Sequence, residues 1–263
     1  MLSESILINR SGNFTASENH RLMAGWEKPK PKEPELILIK GEFEKLDKKP
    51  LVKDFSNYGH KVTGTQINEM WAWLKYQEPP QGLITYAEEK SMEELFYSDP
   101  SLNFSTVHTR NGNERELECM KRLNDATGLD FVNIGDNQKH ISNDGVGATP
   151  DGVVLDDLDL ICTGSEVKCK SALVHAKNVL IENAEDLKEI EFEHFVQVQT
   201  QMLVTETDHW YFANYNPFAK KESMIFKYII IGRDDDFIEI LKKRIEIAKK
   251  IKADFLLKFK DFQ

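Results

Sequence analysis

Two short runs in the sequence combine carboxylates with a lysine: residues 149–152 (TPDG) and 166–168 (EVK). In a strand, side chains two residues apart point to the same face, so Glu166 and Lys168 should project together while Val167 faces the opposite way. Carboxylates suit Mg²⁺, which makes bound water easier to deprotonate, and a nearby amine can orient or deprotonate that water. These groups indicate phosphodiester hydrolysis. Each run also has an ordinary explanation, because Pro-Asp-Gly forms β-turns and Glu-x-Lys occurs on solvated strand faces.

A third carboxylate, Glu116, lies in a segment that is expected to be helical. Residues 112–128 predict a helix that ends at Gly128, a residue suited to the position after a helix. At 100° per residue, Glu116 lies near the centre of an apolar stripe, while Glu114 and Glu118 lie on the opposite, solvent side. The stripe consists of Leu117, Cys119, Met120, Leu123 and Ala126. An inward carboxylate is either paired with a buried lysine or arginine or bound to metal, and beside the other two we favour a metal ligand.

These helices and strands must hold the carboxylates, and several further runs occur in the same order as in a known family. The chain resembles the lambda-exonuclease-like, or YqaJ-like viral recombinase, family of PD-(D/E)xK nucleases over about residues 8–24 and 84–236. The resemblance implies an α/β fold with a restriction-endonuclease-like PD-(D/E)xK core, a mixed central sheet flanked by helices. The similar runs are 10–17 (RSGNFTAS), 112–128, 148–152 (ATPDG), 166–169 (EVKC), 197–199 (QVQ) and 210–217 (WYFANYNP).

The same resemblance implies roles for particular residues at a metal site. Glu116, Asp151 and Glu166 would hold Mg²⁺, with two ions per site and the Val167 carbonyl as a further ligand. Mn²⁺ is open as well, because it also suits oxygen ligands. Lys168 would serve the attacking water.

A pocket for a terminal 5′-phosphate is also implied. It maps onto Arg10 and Ser17, with Thr149 standing where the family usually has serine. A guanidinium reads phosphate oxygens in bidentate fashion, although an arginine considered alone is more often solvated or in a surface ion pair.

Four further site residues follow from the resemblance with less definite roles. Residues 191–205 predict a helix whose apolar face includes Gln199, with Gln197 nearly opposite on the less apolar side. The family pattern assigns Gln197 to the active site. For Gln199 two alternatives remain: it belongs to the active site, or its amide is hydrogen-bonded within the core. The family's extra acidic residue before Pro-Asp-Gly is missing, and Asp144 could substitute for it. Two alternatives remain for His140: it lies near the metal ions, or it is a structural or exposed histidine.

The length and pattern favour one nuclease domain over residues 1–263. A lysine- and proline-rich insertion is expected at about 27–60, with a strand or hairpin around Leu36, and a C-terminal helix at about 234–262. Further helices are expected at 65–76 and 84–97. The insertion could provide a DNA-facing surface, a subunit contact, a partner site or a solvated linker.

The composition limits the class of protein. With 34 basic and 44 acidic residues the formal net charge is −10, which argues against loose coating of duplex DNA and favours a local basic channel. The family's ring-shaped trimer would supply such a channel, so a homo-oligomer is implied. Three cysteines without CxxC spacing indicate neither disulfides nor a zinc ribbon. Neither a membrane span nor a signal peptide is evident, which favours a cytoplasmic setting, that of the host if the protein is phage-encoded.

The sequence therefore predicts a metal-dependent deoxyribonuclease, an Mg²⁺-dependent 5′→3′ exonuclease on linear double-stranded DNA. It would generate 3′ single-stranded tails for phage-type homologous recombination, with a single-strand annealing protein as partner. Two alternatives stay open: an endonuclease or flap nuclease on the same fold, and a DNA-end-binding recombination protein without catalysis.

Overall fold

The structure is a computed structural model that describes residues 10–28, 30, 31, 49, 51, 52, 62–96 and 107–262. The chain divides into two compact units, Met1–Met23 with Ile84–Gln263 and Ala24–Leu83. The smaller unit spans more residues than the insertion expected at about 27–60. Most of that insertion, including the strand or hairpin expected around Leu36, lies outside the described residues.

Helix α1 (Gly64–Gln77) belongs to the smaller unit and confirms the helix predicted at 65–76. It begins with a capping box, in which the Thr63 hydroxyl accepts from the Gln66 amide and the Gln66 side chain accepts from the Thr63 amide. Four of its side chains form a small apolar cluster with Val62, which precedes the helix: Ile67, Met70, Trp71 and Leu74.

The other elements follow the chain in the order expected for an α/β protein. They are β1 (Phe14–Thr15), α2 (Gln81–Leu95), α3 (Val107–Thr127), β2 (Ile141–Asn143), β3 (Val146–Ala148), β4 (Gly152–Leu155), β5 (Ile161–Lys168), α4 (Ala172–Asn178), α5 (Ala184–Ile190), α6 (Phe192–Thr205), β6 (His209–Tyr215), β7 (Phe226–Gly232) and α7 (Asp235–Leu257). Short 3₁₀ turns occur at Asn19–Met23, Gly135–Asn137 and Glu222–Met224.

The strands form two sheets. The smaller has the order β1-β3-β2, with β1 parallel and β2 antiparallel to β3. The larger has the order β4-β5-β6-β7, in which β5 and β6 are parallel and the two outer pairs are antiparallel. The predicted mixed sheet in an α/β fold is therefore confirmed.

Helices cover both faces of the larger sheet. Helix α3 packs on the face that carries Val167, in a cluster with Cys119, Met120, Leu123, Phe131, Tyr211, Ala213 and Tyr215. Helix α6 lies on the opposite face, where its Gln201 bonds to Glu166 and its His194 ring approaches Phe212. It also contacts β2 and β3 of the smaller sheet. Because α6 lies between the two sheets, every side chain from His194 to Met202 is buried. The prediction that this part of the helix has a less apolar side facing the cleft is therefore wrong.

Helix α3 ends before Gly128, whose φ of 70° confirms the predicted stop. The predicted apolar stripe is only partly right. Cys119, Met120 and Leu123 are fully buried, but Leu117 is 51% exposed and Ala126 is exposed. The buried stripe is narrower than the sequence indicates because α3 contacts the sheet chiefly through these three side chains. Glu114 and Glu118 are exposed, as predicted.

Helix α7 occupies the place of the expected C-terminal helix. Asp234 caps it by accepting a hydrogen bond from the Phe237 amide at 2.9 Å. Its buried face consists of Phe237, Ile238, Leu241, Ile245 and Ala248.

Candidate active site

The end of β5 presents a carboxylate and an amine together. Glu166 is 2% exposed, and one of its oxygens pairs with the Lys168 amine. Val167, between them, packs into the apolar cluster on the other face of the sheet. The two-residue alternation predicted from the sequence is confirmed.

Asp151 reaches the same place from the turn before β4. Its Oδ2 atom accepts a hydrogen bond from the Val167 amide at 2.7 Å, which fixes the carboxylate against the end of β5. Burial raises the pKa of Asp151 well above its usual range, and the nearby charges of Glu166 and Glu116 raise it further.

Glu116 completes the carboxylate cluster, which we define as Glu116, Asp151 and Glu166. The Gln138 amide donates to Glu116 at 2.8 Å and to Asp151 at 3.1 Å, and so bridges the first two members. Burial raises the pKa of Glu116, and the charge of Glu166 adds to this effect. Carboxylates that raise one another's pKa are the kind of oxygen donors that a hard divalent cation stabilises, so this donor set fits Mg²⁺ or Mn²⁺.

Gln197 and Gln199 of helix α6 make different hydrogen bonds. The Gln197 Oε1 atom accepts a hydrogen bond from the Lys168 amine at 3.4 Å. The Gln199 amide instead donates to the Gly232 carbonyl and accepts from the Asp234 amide, both at 2.9 Å. Gln199 therefore has the structural role left open above, and joins α6 to the start of α7.

A cavity of about 180 Å³ lies beside the carboxylate cluster. Arg10, Ser17 and Thr149, the three residues expected to bind a 5′-phosphate, all line it, although they come from distant parts of the chain. Gln138 and Gln197 also line it and connect it to the carboxylate cluster and to Lys168. The remaining lining residues are Thr15, Ala16, His140 and Ala148.

His140 lines this cavity, and none of its described hydrogen bonds reaches the carboxylate cluster. Its Nδ1 atom lies 3.1 Å from the Thr149 hydroxyl. Burial lowers the pKa of His140 to about 4, and the charge of Arg10 contributes to the shift. The imidazole is therefore neutral near pH 7 and orients the Thr149 hydroxyl beside Arg10.

Asp144 is not brought to the cluster. It lies in the turn between β2 and β3 with a φ of 49°, and its exposed carboxylate pairs with Lys249 of α7. The structure thus gives no support to the idea that Asp144 replaces the missing acidic residue. The position of Asp144 is explained by Lys249, which offers an opposite charge nearby at the surface.

Two residues of the site were missed from the sequence. Gln138 bridges Glu116 and Asp151, and Gln201 donates to the second oxygen of Glu166 at 2.6 Å. Gln201 had a usable signal, because it lies four residues after Gln197 and so on the same side of the helix. Gln138 lies in an irregular segment after the Gly135–Asn137 turn, where no periodic pattern marks it.

A mixed sheet flanked by helices, with Asp151 before one strand and Glu166 and Lys168 at the end of its neighbour, is the arrangement of the PD-(D/E)xK nuclease class. The model of the YqaJ-like viral recombinase domain matches residues 55–208, more than half of the chain. The protein therefore belongs to the YqaJ-like viral recombinase family, as the sequence predicted. Membership of this family supports the prediction of a nuclease enzyme.

Solved structures of similar fold are described as exonucleases. The crystal structure of an alkaline exonuclease, LHK-Exo, from Laribacter hongkongensis matches with a TM-score of 0.59 and 18% identity, over 96% of this chain and 94% of that one. LHK-Exo in complex with dAMP gives 0.58 and 19%, over 97% and 94%. A phage-related exonuclease from Haemophilus somnus 129PT gives 0.57 and 14%, over 94% and 96%. At these identities the likeness establishes the fold.

A curated relative matches a short part of the chain. The putative uncharacterized protein ExoD of Escherichia coli (strain K12) is 42% identical over 45 residues, which are 17% of this chain. The match spans about half (49%) of that relative's own length. Among the helices in the described ranges, none is long and apolar enough to cross a membrane.

Proposed function

We propose that this protein is an Mg²⁺-dependent exonuclease that degrades linear double-stranded DNA from its 5′ ends. It leaves 3′ single-stranded tails that a single-strand annealing protein uses for recombination in the host cytoplasm. The observation that carries the proposal is the position of the cavity lined by Arg10, Ser17 and Thr149, directly beside the carboxylate cluster. A pocket for a terminal phosphate next to a hydrolytic centre favours cleavage from an end over cleavage within the duplex.

The carboxylate cluster and the Val167 carbonyl would hold the divalent ions, two per site, with Mn²⁺ as a substitute for Mg²⁺. Such ions polarise the phosphate and lower the pKa of water in their coordination sphere. The Lys168 amine, next to Glu166 and Gln197, would hold the attacking water and offset the negative charge that develops on the phosphate. Gln201 and Gln138 would keep the carboxylates in place through their hydrogen bonds.

The terminal phosphate would be bound by donors from three parts of the chain. The Arg10 guanidinium can contact two phosphate oxygens at once, and the Ser17 and Thr149 hydroxyls can donate to others. The protein as a whole is acidic, so the trimeric ring implied by the family resemblance would concentrate its basic groups around the duplex.

The first test is digestion of linear duplexes with 5′-phosphate or 5′-hydroxyl ends, beside covalently closed circles, in Mg²⁺ and in EDTA. We expect loss of the linear phosphorylated duplex in Mg²⁺ alone, with mononucleotides and a 3′ tail as products. Cleavage of the circles would show an endonuclease instead. Tight binding to ends without hydrolysis would show an end-binding protein.

Arg10→Ala tests the phosphate cavity separately from the hydrolytic centre. We expect the preference for 5′-phosphate over 5′-hydroxyl ends to fall by about tenfold or more, because one charge-assisted bidentate contact is lost. Arg122→Ala is the matched control, since Arg122 pairs with Glu118 on the outer side of α3. The measurement is the ratio of initial rates on the two substrates, and an unchanged ratio for Arg10→Ala would place the phosphate elsewhere.

A further inference from the structure

A second group of metal-ligating side chains lies at the start of α6, outside the carboxylate cluster. Glu191 precedes the helix, and Glu193 and His194 lie in its first turn. In the described part of the chain, these are the residues whose ligand atoms all lie within 4.8 Å of one another. The His194 Nε2 atom is 3.8 Å from an oxygen of each glutamate.

These separations are close to those of ligands that share one ion. Two atoms bonded to Zn²⁺ at roughly 2.0–2.2 Å lie no more than ~4.4 Å apart. The two nitrogen-to-oxygen separations already fall within that limit. The two glutamate oxygens lie within 4.8 Å of each other, and the side chain of Glu193 is 51% exposed, which leaves it room to adjust around an ion.

The imidazole of His194 supplies an independent observation. His194 is only 5% exposed, and its Nε2 atom is buried without a hydrogen-bond partner. Buried polar atoms nearly always have a partner, so a ring nitrogen directed at two carboxylates calls for an explanation.

A direct hydrogen bond to either glutamate does not provide that explanation, because the two Nε2-to-oxygen separations of 3.8 Å are longer than a hydrogen bond. Burial lowers the pKa of His194, and the charges of Lys168 and Lys170 lower it further. The neutral imidazole is the form that binds metals. The two lysines also oppose a cation here, and the two glutamate charges offset them.

We propose that Glu191, Glu193 and His194 form a second metal site, which binds a Zn²⁺-like transition-metal ion through one nitrogen and carboxylate oxygens. Imidazole favours such ions, whereas the oxygen donors of the carboxylate cluster favour Mg²⁺. The site lies one helical turn before Gln197, so the bound ion fixes the start of the helix that carries Gln197 and Gln201. The proposal does not depend on the proposed nuclease activity.

The test is calorimetric titration of the full-length protein with Zn²⁺ in a large excess of Mg²⁺, which keeps Zn²⁺ from the oxygen donors of the carboxylate cluster. We expect wild type to bind one equivalent. Glu193→Gln should weaken that binding by about tenfold or more, since even outer-sphere changes at metal sites cost about 10–100-fold. Glu189→Gln, which removes an exposed acid at the end of α5, is the matched control and should bind as wild type does.

A second measurement identifies the nitrogen ligand. Long-range ¹H–¹⁵N spectra should show a large Zn²⁺-dependent shift of one imidazole Nε2, and this signal should be missing in His194→Gln. The proposal is overturned if wild type does not bind Zn²⁺ under these conditions, or if Glu193→Gln and Glu189→Gln bind it equally well. Neither readout requires DNA cleavage, so the result is separate from that of the digestion assay.

Discussion

Both carboxylate oxygens of Glu166 have partners within the protein, the Lys168 amine on one side and the Gln201 amide on the other. A cation that binds Glu166 therefore competes with Lys168 for the first oxygen. Displacement would direct the amine toward Gln197, already 3.4 Å away, and into the space between cluster and cavity. With a cation on Glu166, the Lys168 amine would be free to hold an attacking water beside it.

Lys168→Ala tests this role. We expect the rate of DNA hydrolysis to fall by roughly 10²–10⁴-fold, the range typical of a lost acid–base or water-orienting group. Mg²⁺ binding should persist, because the oxygen donors remain. Rates on linear duplex and Mg²⁺ affinity by calorimetry are the measurements, with Lys177→Ala on exposed α4 surface as the control. A wild-type rate at saturating Mg²⁺ would contradict the assigned role.

The low pKa of His140 predicts how stability depends on pH. The unfolded histidine takes up a proton near pH 6.5, whereas the native one does so only at about 4. Protons therefore favour the unfolded state across this interval, so the stability that His140 contributes is full above pH 6.5 and is lost as the pH falls toward 4. Relative to wild type, His140→Gln should lose less unfolding free energy between pH 7 and pH 5 in denaturant titrations. Parallel losses would show that the imidazole is not held neutral.

At the residue level, the sequence predicted side chains that act through local geometry or through family motifs. Glu166 and Lys168 follow from the alternation of a strand, and Arg10 from its place in the similar run 10–17. Gln138 could not be predicted, because its role depends on Glu116 and Asp151 meeting in space. The narrow buried stripe of α3 likewise depends on how the helix meets the sheet, which periodicity alone does not determine.

At the level of elements, β5 and β6 are held together by a close fit between a glycine and a tryptophan. Gly164 of β5 is paired with Trp210 of β6, whose side chain is fully buried. A Cβ atom at Gly164 would lie 2.3 Å from the indole ring. The glycine is therefore required by the approach of the tryptophan, and it permits the parallel pair that presents Glu166 and Lys168.

Gly164→Ala should destabilise the protein by roughly 1–3 kcal/mol, the usual cost of overpacking a core. Gly232→Ala is a matched control, because a Cβ atom at Gly232 meets nothing within 4 Å. Thermal unfolding of the two variants beside wild type is the measurement. Equal melting temperatures for the three proteins would mean that Trp210 moves aside without cost.

The bounds of the helices could be predicted within a few residues from caps and periodicity, as Gly128 and Asp234 show. The placement of α6 between two sheets could not. The pairing of β1 with β3 joins residues more than a hundred positions apart, and no local pattern encodes it. The burial of Gln197, Gln199 and Gln201 follows from that long-range arrangement, which is why their amphipathic pattern was misleading.

At the level of the whole molecule, the net charge of −10 means that, under the proposed function, DNA would approach an acidic protein. The carboxylate cluster adds to the repulsion unless a cation neutralises it. We expect affinity for a short 5′-phosphorylated duplex to fall by about tenfold or more when Ca²⁺, a hard cation with the same preference for oxygen, is replaced by EDTA. Fluorescence anisotropy measures this, and equal affinities would show that DNA binding is independent of the metal.

Thr149 of the cavity and Asp151 of the carboxylate cluster flank strands of different sheets, and the chain between these two residues is very short. Thr149 follows the last residue of β3, and Asp151 precedes the first residue of β4. Their Cα atoms can be at most roughly 7 Å apart. Under the proposed function, this short link fixes the distance between the bound terminal phosphate and the carboxylate cluster. With the terminal phosphate beside Thr149, the Thr149–Asp151 separation determines which phosphodiester reaches Asp151. The step size of digestion would then be set without reading any base, so the enzyme would proceed through DNA of every sequence in equal increments.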